Sequence, residues 1–327
     1  VVRTLQATWT ETALTWIIGR TEHALVGDIP GIDFIIFDKG RGWRAYADLR
    51  RHLRNRRFDA LLHMQMSLRA SLASRLVRTP IRLGFDRQRA KDGQWLFTNF
   101  RIPHHPRQHV LESLFGFTEA LGIDDRLLRW GIPIPDMAAR FASEMLPDGT
   151  RAVIISPCSS HAYRNWTVEG YAAVANHASQ VLGLQVVLTG GNRSIERHYA
   201  DAISARLTVP PIDLTGRTDL KQLLALMARA EAVVAPDSGP AHMATTVGTP
   251  VVGLYAATNP DRARPYLSGP WVVSRYREAV AAHYGKLPEQ LPWGARVRAP
   301  DTMERIPADE VIKALDKALA GSAGPEA

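Results

Sequence analysis

The chain has 327 residues, 46% of them hydrophobic, and a formal net charge of +8 at pH 7. That length suits two α/β domains rather than one small core, and no run approaches the roughly 20 consecutive apolar residues that a membrane-spanning helix needs. A single cysteine, Cys158, excludes internal disulfides and cysteine-based metal clusters and suits a reducing cytoplasm.

In chain order, residues 1–9 read as the middle or end of an amphipathic helix with no capping residue before it, so the sequence is expected to begin inside a longer chain. Short β-branched and aromatic runs at 14–18 and 34–37, bounded by Gly, Pro and Asp, predict strands. The spacing then predicts a helix over 44–57, a strand over 58–64, a helix over 67–77, a strand over 81–84, a polar stretch around 86–106 and a helix over 109–121. Strand and helix alternate, which predicts a parallel sheet covered on both faces. Residues 131–149, with Pro133, Pro135, Pro147 and Gly149, read as a linker.

Beyond the linker the alternation is cleaner. Strands are predicted at 151–156, 185–189, near Ile212, at 232–235 and at 251–254, with helices at 167–182, 193–206, 219–230 and 240–247 between them. After residue 255 the pattern weakens to a strand near 271–273 and a last helix over 308–319. The expected organisation is α/β, with two Rossmann-like doubly wound domains at 1–135 and 150–327.

Charge divides unevenly between the halves. Residues 1–145 hold 22 Lys and Arg against 15 Asp and Glu, and residues 146–327 hold 18 against 17. The densest run, Arg50, Arg51, Arg54, Arg56 and Arg57, falls at a predicted helix end. There it either complements the helix dipole in solvent or draws in an anionic partner. No recognition helix or interleaved aromatics accompany it, so nucleic acid is not expected, and an anionic lipid or glycolipid is.

In open parallel sheets ligands bind where strands lead into helix N-termini. The first such junction is Ala235-Pro236-Asp237-Ser238-Gly239-Pro240-Ala241-His242. Pro240 suits the first helical turn, Gly239 removes a side chain that would hold a ligand off the helix end, and free N–H groups with Ser238 and His242 make a phosphate cradle. Asp237 is suited to sugar hydroxyls instead. The bland alternative is that Asp237 or Ser238 is only an N-cap. A second junction runs from Ser156 through Ser159 to Arg164-Asn165-Trp166. Its small hydroxyl residues and one arginine suit a diphosphate, and Trp166 reads as a loop anchor. The third is Thr189-Gly190-Gly191-Asn192, with Glu196 one turn into the next helix. Together the three point to a nucleoside diphosphate.

The order of these junctions resembles the heptosyltransferase family of glycosyltransferases, glycosyltransferase family 9. The family's Asp-Thr-Gly, followed by a histidine and then a Gly-x-Pro step, stands here as Asp237-Ser238-Gly239 with His242 and Gly248-Thr249-Pro250. Its Lys-x-Trp loop stands as Arg164-Asn165-Trp166, its strand–Gln–basic segment as Leu62-His63-Met64-Gln65 with Arg69, and another landmark as Gln108-His109. The resemblance implies a GT-B fold and inverting transfer, without a bound metal or other cofactor, from an ADP-heptose donor to a lipopolysaccharide core-type acceptor. It implies a donor domain at 150–327 and an acceptor domain at 1–135, at the cytoplasmic face of the inner membrane with possible peripheral contact. Ser156, Ser159, Arg164, Gly190, Glu196, Asp237, Ser238, Gly239 and His242 would serve the donor, with Glu196 toward the ribose. Gln65 and Arg69 would serve the acceptor.

The same resemblance places the family's N-terminal strand, whose Gly-Asp supplies the general base, before Val1, where its absence from the recorded sequence would leave an edge or gap in the first sheet. His63 is the alternative base within 1–327, set against a structural role. His63 and Met64 also replace small or acidic residues of the family, leaving the acceptor open. Two other functions stay open at this level: a GT-B transferase or epimerase using a UDP-sugar, and a non-catalytic nucleotide-binding relic.

Overall fold

The computed structural model describes residues 1–322, and they fall into two compact units, Val1–Pro133 and Ile134 onward. The first unit runs α1 (Val2–Thr8), β1 (Leu14–Ile18), α2 (Arg20–Val26), β2 (Ile32–Ile36), α3 (Trp43–Leu53), β3 (Ala60–Leu62), α4 (Leu68–Ser74), β4 (Ile81–Gly84), β5 (Phe100–Arg101) and α5 (Val110–Glu119). All its strand pairs are parallel, as the alternation predicts, but they do not form one sheet. β1 pairs with β2, and β3–β4–β5 form a separate set, with no ladder joining them among the described residues. Side chains supply the continuity that backbone bonds do not. Ile35, Leu49, Leu53, Ala73 and Val77 form one buried cluster against Ile17 of β1 and Leu61 of β3.

Two features of this unit escape a reading by periodicity. Helix α2 is too short and polar to show an apolar stripe and buries no residue. The polar stretch after β4 is ordered by buried polar groups. Gln94, fully buried, accepts from the Phe85 N–H at 3.2 Å and donates to the His63 carbonyl at 2.8 Å. Asp86 bonds Arg89, the Gln88 N–H and His104 Nδ1, and these bonds hold its carboxyl below the ordinary range although burial pushes it up.

The second unit runs α6 (Asp136–Met145), β6 (Ala152–Ile155), α7 (Val168–Gln180), β7 (Gln185–Leu188), α8 (Ser194–Ser204), β8 (Ile212–Asp213), α9 (Leu220–Arg229), β9 (Ala232–Pro236), α10 (Gly239–Thr246), β10 (Val251–Tyr255), α11 (Pro260–Ala263), β11 (Val273–Ser274), α12 (Tyr276–Tyr284) and α13 (Ala308–Ser322). Its six strands form one parallel sheet in the order β11-β10-β9-β6-β7-β8. Every residue of β6, β9 and β10 is buried, as befits central parallel strands covered on both faces. From β6 the chain winds outward through β7 and β8, then returns beside β6 as β9 and winds the other way. The seam between β6 and β9 is therefore the topological switch point, where such sheets bind ligands.

Helix α6 corrects the linker expected over 131–149. Pro135 precedes the helix, where its missing N–H costs nothing, and ten helical residues and Leu146 follow before Pro147. Ala138 and Ala142 are buried, and the helix packs on α9, whose Arg229 donates to the Leu146 carbonyl at 2.9 Å. The apolar stripe here is mostly alanine, a weak periodic signal that the flanking prolines outweigh.

Candidate functional site

Three junctions meet at the carboxyl ends of neighbouring strands: β6 supplies residues 156–166, β9 supplies 237–239, and β7 supplies 189–192. The β6 loop is fixed from below. Trp166 is 1% exposed and donates from Nε1 to the Ile306 carbonyl at 3.1 Å, and its ring lies so near α7 that a β-carbon at Gly170 would fall 2.4 Å from it. Thr167 caps α7 through Gly170 N–H at 3.1 Å. Trp166 is thus the anchor its place suggests, and packing together with hydrogen bonds sets the loop's position.

On this platform Arg164 reaches across the seam. Its Nη1 lies 3.3 Å from the Asp237 carbonyl and 3.3 Å from Asp237 Oδ2, with both side chains largely buried. His242, on the first turns of α10, stands 3.9 Å from Asp237 Oδ1. Loss of surrounding water lowers the His242 pKa from its ordinary value, and the Asp237 carboxylate opposes that shift.

Ser238 occupies the N-cap position of α10 with extended backbone, yet its hydroxyl makes no capping bond. Ser238 Oγ is buried without a hydrogen-bond partner among the described residues, and so are Arg164 Nε, Thr189 Oγ1 and Asn165 Nδ2. Buried polar groups left this way are costly unless something else satisfies them. At Gly239 a β-carbon would meet no protein atom within 4 Å, so the glycine answers to no internal packing demand. The alternative in which Ser238 merely caps the helix is therefore removed. What stands at the seam is a helix N-terminus with open space before it, an unsatisfied hydroxyl and a guanidinium, the donor set an oxyanion requires.

The remaining donor-side residues are arranged differently. Ser156 is buried at the end of β6. Ser159 Oγ donates to the His161 carbonyl at 2.8 Å and accepts from the His161 N–H at 3.1 Å, so its hydroxyl is committed to its own loop. Gly190 and Gly191 open the β7 loop, and Glu196 folds back onto it. Glu196 accepts from the Gly191 N–H at 3.0 Å and from Arg193 Nε at 2.9 Å. Burial pushes its carboxyl up, but these bonds prevail and hold it below its usual range. A β-carbon on Gly191 would fall 2.9 Å from Glu196 Oε2, so the carboxylate sits tightly against that glycine. Arg193 also donates to the Ser159 carbonyl at 2.9 Å, tying the β6 and β7 loops together. Cys158 is buried between them, its thiol pushed up to about 12 by burial and the Glu196 charge, and so is unreactive.

Reading the junctions one by one misses a further group. After β10, Thr258 bridges antiparallel to Arg296, and the Val297 N–H donates to the Ala257 carbonyl at 2.9 Å. This brings Arg296 and Arg298, forty residues on, to the same edge as Arg262 of α11. Only the Arg-x-Arg spacing of 296 and 298 hints at it in sequence.

In the first unit, Gln65 and Arg69 lie exposed between β3 and the start of α4, with Ser67 capping that helix through the Ala70 N–H at 3.3 Å. His63 is 5% exposed, and its Nε2 is 3.1 Å from Ser71 Oγ, itself fully buried. Burial and Arg82 lower its pKa to about 4. The geometry packs His63 into the interior of the first unit, with one ring nitrogen against the Ser71 hydroxyl. Gln108 accepts from Arg89 at 2.8 Å, and His109 caps α5 by accepting from the Leu111 N–H at 3.1 Å.

Residues 46–290 match the family model of glycosyltransferase family 9 (heptosyltransferase). The chain is 39% identical over 317 residues to the lipopolysaccharide core heptosyltransferase OpsX of Haemophilus influenzae, covering 97% of this chain and 91% of that protein. It is 25% identical to lipopolysaccharide heptosyltransferase 3 of Escherichia coli K12 over 98% and 93% of the two chains. Among solved structures, a family 9 glycosyl transferase of Veillonella parvula superposes with a TM-score of 0.79 at 21% identity, over 98% of this chain and 92% of that one. The E. coli heptosyltransferase WaaC with ADP does so at 0.69 and 16%, over 97% and 93%. The fold is accordingly the GT-B fold of these enzymes. A match across most of its length, with a close relative over nearly all of it, shows that the chain belongs to glycosyltransferase family 9, the heptosyltransferases.

Proposed function

We propose that this enzyme transfers a heptose from ADP-heptose to a lipopolysaccharide core-type acceptor, with inversion at the anomeric carbon. The observation that carries this reading is the seam between β6 and β9, where Ser238 Oγ and Arg164 Nε are buried without partners among the described residues, before the open end of α10. A relative 39% identical to this chain bears the name of a core heptosyltransferase, which supports the substrate class.

In this reading the second unit holds the donor. Arg164, Ser238, Gly239 and His242 surround the diphosphate, where a guanidinium and N–H groups are pre-oriented toward negative charge. Asp237 cannot face phosphate, and its carboxylate accepts from the hydroxyls of the transferred sugar. Gly190 gives the backbone access to the nucleoside, and Glu196 presents its carboxylate edge to the ribose while bracing the loop. Ser156 and Ser159 shape the wall rather than bond the ligand. The first unit, with Gln65 and Arg69, receives the acceptor glycolipid. The enzyme works at the cytoplasmic face of the inner membrane, and the basic surface of the first unit draws it to anionic lipid. No helix among the described residues is long and apolar enough to cross a membrane.

Calorimetric titration with ADP and UDP, beside a transfer assay with ADP-heptose and a deep-core acceptor, tests the assignment. Tighter ADP binding and heptose transfer are expected. Tighter UDP binding would instead support a UDP-sugar enzyme, and nucleotide binding with no transfer to any core acceptor a non-catalytic protein.

A further inference from the structure

The arginines that gather after β10 are not used by the cradle of Arg164, Ser238 and Gly239. Arg262 is half-buried in α11, and a β-carbon at Gly294 would lie 3.5 Å from its Nε, so its side chain lies against the segment that carries Arg296 and Arg298. Arg296 is pinned beside Thr258 at the end of β10. The Arg298 guanidinium sits 5.9 Å from the centre of the Tyr163 ring, and that of Arg164 sits 5.6 Å from the same ring, so one tyrosine joins the two groups. Arg262 feels the charges of Arg164, Arg296 and Asp237, and that carboxylate is already engaged by Arg164. No carboxylate lies within ion-pair distance of Arg262, Arg296 or Arg298 among the described residues.

Like charges held this close repel, and burial, Arg296 and Arg164 together lower the Arg262 pKa from its ordinary value against the opposing Asp237 charge. Surface arginines with no partner disperse into solvent. Here the backbone bridge at Thr258 fixes the Arg296 main chain, Arg262 lies against the Gly294 segment, and the Tyr163 ring joins Arg298 to Arg164, an arrangement that a bound anion would stabilise.

Resting on the nucleotide-sugar reading above, we propose that Arg262 and Arg296, with Arg298 at the rim, form a second phosphate subsite that contacts the terminal phosphate of the nucleoside diphosphate from the side opposite the α10 cradle residues, adding to their hold on the diphosphate. The subsite prefers the leaving group to the donor. When the anomeric C–O bond breaks, its electron pair stays on the phosphate oxygen. The acceptor oxygen bonds the anomeric carbon, and the acceptor's proton passes to a carboxylate or imidazole base. The terminal phosphate thereby gains one negative charge in front of these arginines, which stabilise charge that is absent from the ground state.

The test compares ADP with AMP, which lacks the terminal phosphate, by calorimetry on the full chain and on Arg262→Gln, Arg296→Gln and the matching Lys variants. Each Gln variant should bind ADP about tenfold to a hundredfold more weakly, as for the loss of a charge-assisted hydrogen bond, and bind AMP as the parent does. The Lys variants should recover part of the ADP affinity, and the salt dependence of ADP binding should flatten in the Gln variants. If ADP and AMP weaken together, the arginines only support the fold and the subsite is refuted. Unchanged ADP affinity in every variant refutes it equally. Failure of the parent chain to bind ADP at all would overturn the nucleotide reading itself, an outcome the parent titration reveals before any variant is made.

Discussion

Replacing Asp237 by alanine separates binding from turnover. The carboxylate lies 3.3 Å from Arg164 Nη1, and the two side chains are only 13% and 12% accessible. At that distance and an effective dielectric of about 20 the attraction is about 5 kcal/mol gross. Desolvation returns much of it, leaving about 1.5–3 kcal/mol net for a charged hydrogen bond. Removing Asp237 also leaves Arg164 facing other guanidiniums without a counter-charge, so the ligand-free protein should lose about 2–3 kcal/mol. For a unit of this size that is a fall of about 5–10 °C in Tm. An added diphosphate supplies the missing negative charge. ADP should therefore raise the Tm of Asp237→Ala by at least as much as it raises that of the parent, and should bind no more weakly. Transfer depends on Asp237 holding the sugar, so turnover should drop about a hundredfold or more. Thermal melts with and without ADP, calorimetry and a transfer assay give the three readouts. Unchanged turnover would refute the sugar contact. An unchanged Tm in the ligand-free variant would refute the view that Asp237 offsets the arginines.

Ser238→Ala deletes a buried hydroxyl with no partner among the described residues, so stability should hold or rise slightly while ADP affinity falls about threefold to tenfold; a large loss of Tm with full affinity would show that the hydroxyl serves the fold. His63 is held neutral with a pKa near 4, against 6.5 for a free histidine. Because the unfolded chain binds the proton first, stability is complete above pH 6.5 and is lost as the pH falls toward 4, by about 3 kcal/mol in all. In His63→Gln the urea midpoint should change less between pH 7 and pH 4.5 than in the parent, and parallel curves would contradict the buried neutral assignment. In the basic run, Arg56 bonds Asp33 at 2.5 Å and Thr15 at 2.6 Å and covers Phe58, so it is structural, whereas Arg50, Arg54 and Arg57 are exposed. Changing those three to Gln should weaken binding to anionic vesicles at low salt and leave Tm nearly unchanged; absence of vesicle binding by the parent would make the run a solvated helix end.

Read without its tertiary structure, the sequence determined most of the second unit. Buried parallel strands such as β6, β9 and β10 are continuous apolar runs bounded by turn residues, and capped helices follow them, so period and punctuation agree. The Asp237-Ser238-Gly239-Pro240 junction was legible for the same reason, since proline and glycine carry their backbone requirements wherever they occur. What the sequence left undecided depends on residues far apart in the chain. Whether Ser238 caps α10 or waits for a ligand turned on a hydrogen bond it does not make. The burial of His63 against Ser71 depends on a helix eight residues on, and α6 turned on a partner helix some eighty residues away, which its alanines fit only in three dimensions. The arginine cluster is the clearest instance. Arg262 and Arg296 are unremarkable where they stand in sequence, and the pairing of Thr258 with Arg296 after β10 brings them to the same edge. Local rules fix backbone geometry within a few residues, whereas burial, charge density and unsatisfied polar atoms are properties of the packed chain, and the chemistry of this site rests on the latter.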